Sequence, residues 1–239
     1  MCDKIIKLST VDSTHKLAIR LVEKSKAMEC VLMAERQTSG IGKFGRSWES
    51  PRGNLFASLL KRFPLPQQEP GQLSLTTAAA VHKAISRYIP SNLYLHWPND
   101  VYHQKSKIAG ILITVINSWA VVSIGINVNC SPGLDNTASL KEVCGGEVVA
   151  SERMLKDVLI ALRGFLYVHD FSCVKKYWLR YVDVIGHSVT VKNGENSLVG
   201  ICRGVDNSGR FILENSGRNL FISSGDMFSG AEGMVVRCE

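Results

Sequence analysis

Gly40, Gly42 and Gly45 stand in a G-x-G-x-x-G spacing inside the stretch Glu35 to Trp48, ERQTSGIGKFGRSW. Lys43 and Arg46 flank the last glycine, and Trp48 closes the stretch. Glycine lets a backbone approach a ligand closely and adopt a positive φ. Successive exposed N–H groups there form a concavity for anions. Lysine and arginine add formal charge, and an indole face can stack on a flat ring. Together these types suit a nucleotide. Further along, Asp100 ends the string W-P-N-D, and Lys107 opens K-I-A-G-I-L. A carboxylate can ligate a metal or act as a base. Taken alone, Asp100 reads equally as an Asx-turn residue, and Lys107 as a solvated strand start.

The glycine spacing does not fit a dinucleotide fold. That fold opens a helix directly after the third glycine and places an acidic residue about 20 positions on. Here Pro51 and Gly53 follow, then a strand-like NLFASLL. A kinase glycine loop does lie between strands, but H-R-D and D-F-G are both missing from the chain. A glycine-rich surface loop with incidental charges is the plain alternative.

The elements that would position these residues follow from hydrophobic periodicity. Lys4 to Leu8 reads as a short strand. Ser13 or Thr14 caps a helix whose inward face carries Leu17, Ala18, Leu21 and Val22. Strands are expected at Val31 to Ala34 and Leu55 to Leu60, then a proline-rich turn, FPLPQQEPG. Gln72 to Tyr88 reads as a helix. The strand within LYLHWPNDVY ends at Pro98, which lacks a ladder N–H, so Asn99 and Asp100 fall at a strand terminus. KIAGILITVI and WAVVSIGINVN pair through an Asn117-Ser118 turn, with Lys107 and the GIN segment near opposite ends of the two strands. Gly110, inside a strand, signals close backbone approach. Residues 131 to 150 are loop-like, with one helical turn near Ser139 to Val143. Helices follow at Ser151 to Phe171 and Val174 to Val182. Beyond Val184 come four short apolar runs, HSVTVK, LVGICRGV, RFILE and LFIS, divided by Asn-Gly and Ser-Gly turns. They read as a small all-β module. The expected division is 1–183 and 184–239.

Composition narrows the function classes. The 239 residues suit one large domain plus a small module. The net charge is +7, yet the tail from Val184 has five Lys or Arg against six Asp or Glu. The basic excess in the first three quarters favours anionic ligands or an acidic protein partner. No basic run is dense enough to point to nucleic acid. The seven cysteines show no C-x-x-C pair, which reads as reduced thiols in a cytoplasmic protein. Neither a signal peptide nor a membrane span is expected.

Several segments match one family in order: STH at Ser13 to His15, the glycine stretch, WPND, KIAGIL, and GINVN from Gly125. The chain resembles the biotin protein ligases over nearly its whole length. The resemblance implies an α+β fold: a mixed sheet with flanking helices, like class II aminoacyl-tRNA synthetases, plus a C-terminal SH3-like β-barrel. It implies that biotin and ATP form biotinyl-adenylate, and that a carrier lysine then takes the biotin. The carrier is the biotin carboxyl carrier protein or domain of an acetyl-CoA or propionyl-CoA carboxylase. Mg²⁺ would accompany ATP. By position, Ser13, Thr14, Gln37, Gly40 and Gly110 match the biotin site. Gly42, Lys43, Gly45, Arg46, Trp48 and Asn127 match the adenylate site. Lys107 matches the lysine beside biotin's carboxylate, and Asp100 the catalytic carboxylate, as magnesium ligand or base. Lys43 and Arg46 also count among the catalytic candidates.

The departures from the pattern are specific. His15 stands where the family has asparagine; a lone histidine at a helix start is more often a capping or packing residue than a catalyst. Ile41 and Lys43 replace two arginines of G-R-G-R-x-G-R, and lysine lacks arginine's planar two-point contact. No helix-turn-helix precedes Ser9, so a short form without repressor activity is expected. Family members often pair through sheet edges, which leaves a homodimer open. Two other activities compete: a lipoate or octanoate ligase with the same core, and a non-catalytic biotin or nucleotide sensor.

Overall fold

The computed structural model describes residues 4–63, 69–168 and 170–229. Its larger sheet has seven strands: β1 (Ile5–Leu8), β2 (Cys30–Ala34), β3 (Leu55–Arg62), β4 (Leu93–His96), β5 (Asp100–His103), β6 (Ser106–Ile116) and β7 (Trp119–Ile126). Their order is β1-β2-β3-β7-β6-β5-β4. The β1–β2 pair is parallel and the others are antiparallel, so the sheet is mixed.

Period-two side-chain alternation gives the sheet two different faces. On one, Leu32, Leu60 and Val121 pack against Ala18 and Val22 of helix α1 (Thr14–Glu23). On the other, Leu59, Ile111, Val122 and Ile124 join the main core. That core is built around α2 (Pro70–Ile85), which is apolar nearly all round and carries Leu73, Leu75, Ala78, Ala79, Ala80 and Val81 buried. A helix with this composition must be enclosed. After a single helical turn, α3 (Leu140–Val143), helices α4 (Ser151–Arg163) and α5 (Phe171–Tyr181) supply that enclosure.

Caps fix the helix starts. Ser13 is the N-cap of α1, its hydroxyl accepting from the Lys16 N–H at 3.4 Å, so Thr14 is the first helical residue. Glu69 and Gln72 form a capping box on α2, and Ser139 and Glu142 another on α3. The long helix expected from Ser151 to Phe171 is shorter. It leaves α geometry at Arg163 and widens into a π turn over Gly164–Val168. Residues 64–68 of the proline-rich turn lie outside the described residues.

The second sheet contains β8 (Ser188–Asn193), β9 (Asn196–Val205), β10 (Phe211–Asn215), β11 (Arg218–Ile222) and β12 (Asp226–Ser229). It is antiparallel throughout, in the order β11-β10-β9-β8-β12. The four expected runs are four of its strands, and β12 is a fifth. The two sheets are packed together. Phe211 is fully buried and meets Trp97, also buried, at 5.1 Å between ring centroids. The His96 ring lies 2.9 Å from the Met227 carbonyl.

Phe211 should therefore carry stability for both sheets at once. Phe211→Ala is expected to cost about 3–5 kcal/mol, as large buried truncations do. The exposed Val199→Ala in the same sheet should stay within ~0.5 kcal/mol. Urea unfolding midpoints decide it, and equal shifts in the two variants would contradict this packing role.

Candidate active site

A cavity of about 490 Å³ opens on the α1 face of the large sheet, beyond the end of that helix's apolar contact. Three strands form its floor. Reading along β7, Ser123, Gly125 and Asn127 line it in turn; Leu112 and Gly110 do so on β6, and Phe56 on β3. One register row runs Asp100, Gly110, Gly125, Phe56 across four strands. The two glycines leave a gap in the middle of that row. Trp48 fills it. A Cβ at Gly125 would stand 2.6 Å from the indole, and one at Gly110 2.9 Å. The close approach signalled by Gly110 is thus to an aromatic ring.

Lys107 and Asp100 meet at the edge of this row, Nζ to Oδ2 at 2.6 Å. Lys107 Nζ also lies 5.4 Å from the Trp48 ring centroid, within cation–π range. The other carboxylate oxygen of Asp100 is buried and finds no hydrogen-bond partner among the described residues; the same holds for the indole N–H of Trp48. Buried polar groups are normally satisfied, so each such orphan calls for an explanation. Register pairs Ala109 with Ile126, which fixes the relation in space that sequence left open between Lys107, at the start of β6, and the GIN segment, at the end of β7. In an antiparallel pair the start of one strand lies beside the end of the other, so the two share one end of the sheet.

The far end of the floor is a hydroxyl and amide network. Gln37 Oε1 accepts from the Thr14 backbone N–H at 2.8 Å and from its hydroxyl at 3.2 Å. Ser58 donates to Thr14 Oγ1 at 2.8 Å and lies 2.7 Å from Ser123. His15 does not cap α1. It is buried, with Nδ1 2.7 Å from Ser123 and Nε2 3.1 Å from Thr114. Burial lowers its pKa to about 4, so it is neutral at neutral pH.

The glycine loop reaches the second sheet. Lys43 Nζ donates to the Gly225 carbonyl at 2.6 Å and lies 3.9 Å from Asp226; Arg46 meets the same carboxylate at 3.0 Å. Phe44, at the loop's exposed tip, has φ 57°, and both cations lie against its ring.

Of the residues singled out from sequence, Ser13, Thr14, Gln37, Gly42, Lys43, Arg46, Trp48, Asp100, Lys107, Gly110 and Asn127 all line this one cavity. Gly40 and Gly45 do not. Gly40 is buried where a Cβ would strike the Trp48 carbonyl at 2.5 Å, so it shapes the loop's corner. Gly45 supplies a positive φ, 76°, in open space. Sequence reading missed Asp226, the buried histidine's partners, and Asn54. Asn54 Oδ1 accepts from the N–H groups of Val128, Asn129 and Cys130, each at 3.0 Å, and so holds the segment after Asn127. It also missed the loop at 132–137, which lines the cavity and is tied to β6 by the Lys107 N–H donating to Asn136 at 2.7 Å.

A family profile for the biotin/lipoate A/B protein ligase family matches residues 8–130, just over half of the 239. The chain belongs to the biotin/lipoate A/B protein ligase family. It is 32% identical to the biotin--[acetyl-CoA-carboxylase] ligase of Mycobacterium tuberculosis, over 82% of this chain and 77% of that protein. It is 28% identical to the bifunctional ligase/repressor BirA of Bacillus subtilis, over 96% of this chain and 75% of that one. The Aquifex aeolicus biotin protein ligase, solved in complex with biotin and ATP, superposes with a TM-score of 0.80 at 28% identity. That match covers 95% of this chain and 100% of the other. The large mixed sheet with its helices is therefore the ligase fold of this family.

The site's electrostatics single out Lys43. Burial lowers its pKa from 10.5 to about 8; Asp226 and Asp100 oppose the shift, and Arg46 and Lys107 add to it. The charged form is the one the fold disfavours. This group therefore favours folding more as pH rises from about 8 towards 10.5. In nitrogen-detected NMR of the lysine side chains, Lys43 should titrate near pH 8, apart from exposed lysines. Asp226→Asn should lower the midpoint further, because the carboxylate raises it. An ordinary midpoint for Lys43, or a rise in the variant, would contradict the burial and the pairing described.

Proposed function

We propose that this protein is a biotin–protein ligase. It joins biotin to ATP as biotinyl-5'-AMP, releasing pyrophosphate, and transfers the biotinyl group to a lysine of a biotin carboxyl carrier protein. A carrier domain of acetyl-CoA or propionyl-CoA carboxylase is the expected acceptor. The observation that carries this reading is the layout of one cavity. A hydroxyl and amide end, suited to a ureido ring, shares a floor with the Lys107–Asp100 pair and the cations of the glycine loop. Asn127, one residue past the end of β7, lies four residue steps from Ser123, or about 13 Å at the usual strand rise. That span separates a head group from a nucleotide base and leaves the reacting centre between them, beside Lys107.

In the first step a biotin carboxylate oxygen attacks the α-phosphorus, and the bond from that phosphorus to the pyrophosphate oxygen breaks. Both reactants are anions. Lys107 would meet the carboxylate, and Lys43 and Arg46 would turn to the phosphates. Such preplaced charges lower the barrier because they need no reorganisation. Trp48 offers its ring face to the adenylate, Asn127 an amide to adenine, and Gly42 and Gly45 an unhindered backbone. Ser13, Thr14 and Gln37 hold the ureido ring, at the corner that Gly40 makes possible, and Gly110 lets the ligand lie close to the strand. In the second step a carrier amine attacks the acyl carbon, the bond to the phosphate oxygen breaks, AMP leaves, and the amine's proton passes to a base. Asp100 would serve as that base.

Mg²⁺ fits the same residue. Among the described residues no cluster of three or more His, Cys, Asp or Glu forms a ready metal cage. Magnesium with a nucleotide needs only one or two carboxylates besides phosphate and water. The unpartnered oxygen of Asp100 is available for it. The ion would supply charge neutralisation at the phosphates.

Residues 1–183 would form the catalytic unit and 184–239 an SH3-like module whose Asp226 holds the glycine loop. Among the described residues Cys130, Cys144, Cys173 and Cys202 form no disulfide, which suits a reducing cytoplasm. Among the described residues no helix is long and apolar enough to cross a membrane.

Pyrophosphate exchange into ATP tests the substrate. Exchange should require biotin and be absent with lipoate or octanoate, which leave the polar end of the cavity unpaired at roughly 1–3 kcal/mol per group. Comparable exchange with lipoate would sink the assignment. Lys107→Ala should slow adenylate formation roughly 10²–10³-fold, by analogy with other electrostatic stabilisers, while the fold persists. Near-normal turnover in that variant would reduce Lys107 to a surface lysine.

A further inference from the structure

The polar end of the cavity has a determinable hydrogen polarity. The Thr14 backbone N–H can only donate, so the atom it meets in Gln37 is the amide oxygen. An amide oxygen can only accept, so the Thr14 hydroxyl donates to it. Thr14 Oγ1 must then accept from Ser58. With its hydrogen used there, Ser58 accepts from Ser123. Ser123 has now used its hydrogen as well, so the nitrogen 2.7 Å away, His15 Nδ1, is the donor. A neutral imidazole has one donor and one acceptor, and His15 Nε2 therefore accepts from Thr114. On the other side of the chain, Gln37 Nε2 donates to Ser50, and Ser50 donates to the Trp48 carbonyl. Every step runs in one direction, from Thr114 on β6 to the loop beneath Trp48.

This direction has a consequence for the ligand. Thr14 and Ser123 line the cavity, whereas Ser58 lies outside its lining. Each of the two lining hydroxyls donates once and accepts once within the chain. What each retains is a single lone pair. Resting on the biotin reading above, we infer that His15, as its Nδ1–H tautomer, locks this chain at its far end and keeps Ser123, beside a Thr14 already set by Gln37, as an acceptor for an N–H group of a cyclic urea. His15 is thus a positioning residue. It stands where the family pattern has asparagine, and it spans two strands that a shorter amide would reach less readily. The opposite tautomer would present a lone pair to Ser123. Ser123 would then turn its hydrogen away from Ser58, whose own hydrogen is held by Thr14, and the Ser58–Ser123 contact would set two lone pairs against each other.

Imidazole ¹⁵N NMR of the full chain at neutral pH tests this without any ligand. His15 should show a protonated Nδ1 and a bare Nε2. Ser58→Ala cuts the chain outside the cavity lining, and it should let the two tautomers mix. A wild-type Nε2–H tautomer, or a tautomer indifferent to Ser58→Ala, overturns the inference. A binding measurement then compares biotin with an analogue methylated on its ureido nitrogens. The preference for biotin should fall roughly 10-fold in His15→Phe, the scale of one lost buried hydrogen bond. An undiminished preference in a folded His15→Phe protein also overturns it. Should neither compound bind the wild-type chain, the biotin reading fails, while the tautomer result still decides the polarity.

Discussion

The contact on which the site depends is Trp48 lying against two strands that carry no side chain there. Gly110 and Gly125 are register partners, and either one with a Cβ would collide with the indole. With the indole seated, the exit of the glycine loop is fixed to the sheet. Its entry is fixed by Gln37, whose amide bonds Ser50 on the returning chain. Lys107 then has a defined place, between the Asp100 carboxylate and the indole face. Cation–π attraction of roughly 0.5–2 kcal/mol is modest, yet it acts with the ion pair to hold a flexible side chain at one spot. Only the loop's tip, Lys43 to Arg46, is left to reach elsewhere, and it reaches the second sheet.

Charge balance explains why it does so. Three cations crowd this site, and among the described residues two carboxylates pair with them: Asp100 with Lys107, and Asp226 with Lys43 and Arg46. These differ from surface pairs such as Lys7–Glu152, whose side chains are 66% and 54% exposed and whose contribution is small. Lys107 and Asp100 are only 20% and 12% exposed, so removing one partner leaves a poorly solvated charge. On the proposed function, these carboxylates stand in the free protein where a substrate carboxylate and phosphates would provide negative charge. On that reading, an arriving anion would exchange one counter-charge for another and avoid facing an unbalanced cluster. Because Asp226 belongs to β12, the second sheet would take part in that exchange.

Much of this was legible in the sequence because it is local. W-P-N-D and K-I-A-G-I are short strings, and the hairpin between Lys107 and Asn127 has a visible turn, so Asp100, Lys107, Gly110 and Asn127 fall together once the strands pair. Asp226 was not legible. It lies 180 residues from Arg46, and nothing in linear charge distinguishes it from its neighbours as the partner. Its strand is only four residues long, D-M-F-S, too short to declare an alternation. Asn54 was hidden for a different reason. Its work is to accept three backbone N–H groups, and no residue pattern announces where a turn 74 residues away will be. His15 was noticed as a departure, but its partners sit on β6 and β7, and only register brings Thr114 and Ser123 to it.

Strand β7 shows how stability and function share one segment without competing. Ala120, Val122, Ile124 and Ile126 are buried in the main core around α2. The alternate residues face the other way and change along the strand. Trp119 and Val121 lie in the α1 cluster, Ser123 joins the hydroxyl chain, Gly125 receives the indole, and Asn127 follows at the far end of the cavity. One parity therefore anchors the strand, and the other is free to be apolar, polar, absent and polar again. The same alternation makes register strict. A slip by one residue would turn Ile124 into the place of Gly125 and set the apolar set against the cavity. The four apolar residues of the core parity, each at least nine-tenths buried, oppose that slip. The geometry at Lys107 is thus secured from the opposite face of the sheet, by side chains packed in the main core.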